Sequence, residues 1–124
     1  MKPIQSYFNP VDPILCADKN IWETTQIGRE IETHSEDFFP DIKFAEIAVF
    51  NVPEYEGSRN TASETACKIR ALFYSFHYKD LPRIADLGTL QLMPNRKDSF
   101  KIIQLICEEL LHNGIIPFII GGGN

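Results

Sequence analysis

The residues best placed to do chemistry close the chain, in the run 115–124, IIPFIIGGGN. Gly121, Gly122 and Gly123 follow six mostly apolar residues. A short apolar run of this kind reads as a buried parallel strand, and a glycine loop after it presents backbone with no side chains in the way. Open α/β sheets bind ligands at the carboxyl ends of their strands, so Gly121, Gly122 and Gly123 are candidates for a substrate loop. They do not form the dinucleotide fingerprint, which needs G-x-G-x-x-G after a first strand and at the start of a helix. Asp86 is the second candidate, near the carboxyl end of the short run 83–88, RIADLG. Its carboxylate could serve catalysis or a metal, or accept hydrogen bonds from nearby loop backbone, and the structural role is the expectation.

Other chemistry is thinly represented. The chain has no G-x-S-x-G elbow, no H-E-x-x-H and no C-x-x-C. Cys16, Cys67 and Cys107 are odd in number and far apart, which reads as core thiols in a reducing compartment. The N-terminal MKPIQSYFNP lacks the apolar centre of a secretory signal, so the expected location is cytoplasmic. His34 lies among Glu30, Glu32, Glu36 and Asp37, where a solvated acidic face is expected rather than a metal cluster. The net charge is −5 with no cluster of Lys and Arg, which speaks against nucleic acid, since phosphate binding needs a basic face. No apolar run approaches the ~20 residues that span a bilayer, so no membrane partner is expected.

These candidates need elements to hold them. With 124 residues, 44% hydrophobic and 23% charged, the chain has the composition of one small globular domain. Residues 1–43 form an irregular arm punctuated by Pro3, Pro10, Pro13 and Pro40. A weak helix is expected over 24–32, with Ile27 and Ile31 at i, i+4 and Gly28 against it. Trp22, Phe38 and Phe39 are expected to pack the arm onto the body. Residues 44–52, FAEIAVFNV, form the first strong strand. After the loop PEYEGSRN, Thr61 and Glu64 have the spacing of a capping box. The helix they open carries Ala62, Ala66, Ile69, Phe73 and Phe76 on one face and should end near Tyr78. Residues 83–88 form a second strand. Asp98 or Ser99 caps a second helix, whose expected buried stripe is Phe100, Ile103, Ile106, Cys107, Leu110 and Leu111, and His112 suits its carboxyl end. Asn113-Gly114 stops it, and the third strand, 115–120, follows. The order β-α-β-α-β demands an α/β fold with a parallel sheet and right-handed crossovers.

The succession of short motifs resembles the N-terminal part of the ureohydrolases, the superfamily of arginase, agmatinase and formimidoylglutamase. The family's G-x-P strand end is matched by Asn51-Val52-Pro53, its G-P-x-x-I-R helix by Thr65-Ala66-Cys67-Lys68-Ile69-Arg70, its D-x-G strand end by Asp86-Leu87-Gly88 and its G-G-x-H closing by Gly121-Gly122-Gly123-Asn124. The resemblance covers roughly 44–124 and leans toward the formimidoylglutamase-like branch. It implies a three-layer αβα fold with strand order 2-1-3, the N-terminal half of an arginase-like domain. It also implies a full-length enzyme that hydrolyses linear amidine C–N bonds with two manganese ions, which lower the pKa of a water and place it for attack.

This sequence departs from that pattern. Asn124 stands where the family has its first metal-ligand His, and a neutral amide oxygen suits hard ions such as Ca²⁺ better than manganese. Thr65 and Ala66 replace the Gly and Pro of the helix motif. The family's remaining ligands would follow Asn124. The expectation is therefore a fragment that binds no manganese and has no catalytic residue of its own. Its partners would be the remainder of its parent chain and a second copy, associated through the exposed strand 115–120. The alternative expectation is part of a non-catalytic relative that serves as a binding or assembly module.

Overall fold

A computed structural model describes residues 2–53 and 59–121. The described residues form a five-stranded sheet in the order β1 (Phe8–Asn9), β4 (Ile84–Leu90), β3 (Ile47–Val52), β5 (Ile116–Gly121), with β2 (Glu32–Thr33) also on β4. Its centre is β3, flanked by β4 and β5, and both pairings are parallel. Helix α3 (Arg59–Ser75) connects β3 to β4, and α4 (Arg96–His112) connects β4 to β5. The chain is thus mixed α/β with a mostly parallel sheet, as its alternating pattern demands.

Alternation along β3 divides the interior. Ala48 and Phe50 pack with Ala85 and Leu87 of β4 and with Ile106 and Leu110 of α4. Val49 points the other way, into a cluster with Tyr74 of α3, Ile84 and Ile120. The arm completes both clusters: Phe8 enters the first, and Val11, Leu15, Ile27 and Ile31 enter the second.

The arm is far more organised than its prolines suggest. β1 (Phe8–Asn9) pairs antiparallel with Leu90 and Thr89, and β2 (Glu32–Thr33) pairs parallel with Ala85 and Asp86. Together they cover the outer edge of β4. Between them, α1 (Pro13–Cys16) starts on Asp12, whose side chain accepts from the Ile14 N–H, with Pro13 in the first turn. The expected helix over 24–32 shrinks to the single turn α2 (Ile27–Glu30). Trp22 lies edge-on to Tyr74 at 5.7 Å, and its indole N–H donates to the Leu15 carbonyl. Phe38 stays exposed.

Helix ends and faces differ from their sequence-based expectations. α3 stops at Ser75 because the arm takes its last backbone groups: Gln26 Nε2 donates to Ser75 O, Ile27 N to Phe76 O, and Tyr78 N to Thr25 O. The capping box at Thr61 lies outside the described side chains. α4 is capped by Asn95, whose side chain accepts from the Asp98 N–H, one turn earlier than expected. Among the described side chains of α3 the buried ones are Ala66, Arg70 and Tyr74, while Ile69 and, just past the helix, Phe76 face solvent. On α4, Ile106 and Leu110 are buried, but Phe100 and Leu111 are exposed. Among the described residues the strand over 115–120 is an edge, and it is not the buried strand its apolar run suggests: Ile116, Phe118 and Ile119 are exposed.

Candidate functional site

Asp86 sits inside the molecule with no exposure, and its two oxygens accept four hydrogen bonds. Arg70, from the middle of α3, reaches it in bidentate fashion: Nε donates to Oδ2 at 2.8 Å and Nη2 to Oδ1 at 2.9 Å. Tyr74, one helical turn further on, donates its hydroxyl to Oδ2 at 2.6 Å. The Gly88 N–H donates to Oδ1 at 3.1 Å. Arg70 also donates from Nη1 to Asn51 Oδ1 (2.6 Å) and from Nη2 to the Gly88 carbonyl (2.9 Å), and Thr89 Oγ1 donates to the same Asn51 Oδ1.

The local backbone explains why these residues meet. Opposite β3, Val49 pairs with Asp86 and Phe50 with Gly88, so Leu87 is an extra residue in β4 and the strand bulges there. Gly88 closes the bulge at φ 98°, and a side chain there would run into the Asn9 carbonyl of β1. The D-L-G sequence is therefore a structural lock: the glycine admits the turn, and the aspartate accepts the glycine N–H two residues on.

The electrostatics match a closed network. Burial works against the Arg70 charge, but the hydrogen bonds and charge of Asp86 outweigh it and raise the pKa of the guanidinium. Burial, and then the neighbouring Asp86 charge, push the Tyr74 phenol well above its usual value. Among the described residues no buried side-chain polar atom lacks a partner. A carboxylate whose two oxygens already accept four hydrogen bonds has no free lone pair for a metal, so Asp86 acts as a structural residue.

His34 is a residue that sequence reasoning placed wrongly. It is not part of a solvated acidic face but is buried, with its ring edge-on to Phe39 at 4.8 Å. Its Nδ1 lies 2.8 Å from the Leu87 carbonyl, so that nitrogen carries the proton and donates. Its backbone N–H donates to the Asp86 carbonyl and its carbonyl accepts from Val11. His34 thus pins the arm to the bulge. Its acidic neighbours gave no hint of this: Glu30, Glu32, Glu36 and Asp37 are all exposed, and His34 alone turns in to meet the bulge. Lys19 is similar in kind: half-buried, it donates to the carbonyls of Gly28 (3.0 Å) and Ile31 (2.6 Å), and burial lowers its pKa.

Of the glycine loop, Gly121 is described and Gly122, Gly123 and Asn124 lie outside the described residues. Gly121 pairs with Val52 at the carboxyl end of β5, and a β-carbon there would meet none of the described residues within 4 Å. A cleft of about 230 Å³ opens at the opposite end of the sheet, beside Ile84 and Ala85 at the start of β4, where open α/β sheets do not hold ligands. The carboxylates that line it, Glu30, Glu32 and Asp41, belong to exposed residues.

The described residues do not fit a manganese centre. They contain no group of three His, Cys, Asp or Glu side chains able to hold a metal, and Asp86 is fully engaged. Cys16, Cys67 and Cys107 are free thiols, and burial raises the pKa of each. No helix among the described residues is long and apolar enough to cross a membrane. No protein-family model, curated protein or solved structure matches the chain.

Proposed function

We propose that this chain is the N-terminal, non-catalytic part of a ureohydrolase-like, metal-dependent hydrolase of linear amidine C–N bonds, with the three-layer arginase-like arrangement and the formimidoylglutamase-like branch as its setting. The observation that supports this reading is the meeting of the two motif segments that carry the resemblance. Arg70 ends the segment matched to the helix motif and Asp86 begins the D-L-G, and the two form one buried bidentate ion pair. In this reading 1–124 is a scaffold that sets the bulge and the carboxyl end of β5. The metal ligands and the remaining strands come from a continuation of the chain in a cytoplasmic parent protein, and Asn124 occupies the position of the first ligand. The purified chain supplied with manganese is expected to turn over neither arginine, agmatine nor formiminoglutamate, and measurable turnover of any of them overturns the proposal. The same reading requires D-x-H-x-D and D-x-D segments in the parent beyond Asn124.

A second reading, a non-catalytic relative that serves as an assembly module, is favoured by the saturated state of Asp86 and by the exposed apolar residues on β5. Metal analysis of the parent protein separates the two: two manganese ions per chain favour the enzyme, and their absence favours the module.

A further inference from the structure

The two edges of the sheet are treated differently. The arm strands β1 and β2 cover β4, whereas no described residue pairs with the outer side of β5. An uncovered edge is a template for another chain. Ile116 donates its N–H inward, to the Glu46 carbonyl. Backbone groups alternate in direction along a strand, so Pro117, Ile119 and Gly121 present theirs to the open side. A proline is tolerated in a strand at this outward position, where its missing N–H breaks no existing bond.

We infer that a second copy of this chain covers the edge, antiparallel, about a two-fold axis through Ile119. In that register the Ile119 N–H of each chain meets the Ile119 carbonyl of the other, and each Gly121 N–H meets the opposite Pro117 carbonyl. Every outward N–H of β5 then has an acceptor, and the absent donor at Pro117 costs only the return bond to Gly121. The backbone itself supplies this self-complementarity, which is the mark of an isologous interface. It is made of the chain 1–124 by itself: under the ureohydrolase reading the strands of the continuation would cover this same edge in the parent protein.

The side chains agree with the register. Phe118 lies on the same face as Val49 and stacks on Phe73 of α3, with ring centroids 5.9 Å apart and planes 9° from parallel. Ile69 and Leu72 continue the apolar surface round the flank of α3 at i and i+3, and the exposed Phe76 follows just past the helix end. The two-fold axis puts both α3 helices on one side of the joined sheet, so these flanks face each other across the seam. Ile69, Leu72, Phe76, Ile116, Phe118 and Ile119 are between 41% and 62% exposed. At roughly 100 Å² of exposed surface each they bring about 600 Å² per copy and ~1,200 Å² to the pair, the lower end of a specific interface. No charged residue lies between Ile115 and Gly121 to oppose its own image.

Sedimentation of the wild-type chain over a wide concentration range tests this, beside Leu72→Lys and Ile119→Pro. Leu72 is exposed, and Lys there sets like charges opposite each other; Ile119→Pro deletes the central outward donor and leaves the β3 pairing alone. The wild type is expected to sediment as a monomer–dimer equilibrium, and each variant to associate at least about tenfold more weakly. Far-UV circular dichroism confirms that the variants stay folded; the wild type alone decides the matter if either does not. A monomer at all concentrations, open-ended oligomers, or a dimer indifferent to a folded variant overturns the proposal.

Discussion

At the residue scale, the centre of the molecule is a charge pair that the sequence half revealed. Asp86 stood out by its place in the D-L-G strand, and its structural role was the expectation. Its partner did not stand out, because Arg70 lies 16 residues away on a helix whose inner face was read as wholly apolar. The usable signal was the spacing of Ala66, Arg70 and Tyr74 at i, i+4 and i+8, which places a cation and a phenol on one stripe. Buried pairs are costly to break, because the surviving charge is left without compensation. Asp86→Asn is therefore expected to lower stability by about 3–5 kcal/mol in urea denaturation at fixed protein concentration. Arg70→Met should cost a similar amount. The double variant Arg70→Met/Asp86→Leu should lose much less than the sum of Arg70→Met and Asp86→Leu, because it removes both charges together. Strict additivity would show that the pair is not coupled.

At the scale of elements, the long periodic segments were legible and the short ones were not. β3, β4, α3 and α4 follow from apolar runs and helical periodicity. β1 and β2 have two residues each and carry no periodic signal; only the free edge of β4 gives them form. The helix faces were read too broadly, because periodicity reports every apolar residue while the sheet covers only one stripe. The bulge in β4 was also invisible, since a bulge is a register between two strands and not a property of one. Its glycine can be tested against another. At Gly88 a side chain meets both a positive φ and the Asn9 backbone, neither of which can yield. At Gly28 a β-carbon would lie 2.7 Å from the Trp22 ring, which can shift. Gly88→Ala is expected to destabilise by about 3 kcal/mol or more, and Gly28→Ala by about 1–3 kcal/mol. Urea midpoints in the reverse order would remove the bulge from its central place.

At the scale of the whole molecule, the arm decides whether the chain is one cooperative unit or a sheet with an appendage. The division at residue 43 follows a change in sequence texture, yet the contacts cross it throughout. Phe8, Val11, Leu15, Ile27 and Ile31 are all nearly buried, and both interior clusters need them. His34 ties the arm to Asp86 and Leu87 at the bulge, and Gln26 and Thr25 tie it to the end of α3. Irregular backbone with this much burial cannot detach without opening both interior clusters and stripping β2 from its pairing with Ala85 and Asp86. Trp22 gives a direct readout: it is the chain's single tryptophan, it belongs to the arm, and it contacts Tyr74 of α3. Far-UV circular dichroism reports mainly α3, α4 and the sheet. The two signals should fall together in one denaturant titration, with one midpoint and one slope, as a two-state unit requires. A Trp22 transition that clearly precedes the loss of secondary structure would mean that the arm undocks first, and that the sheet from β3 to β5 stands without it.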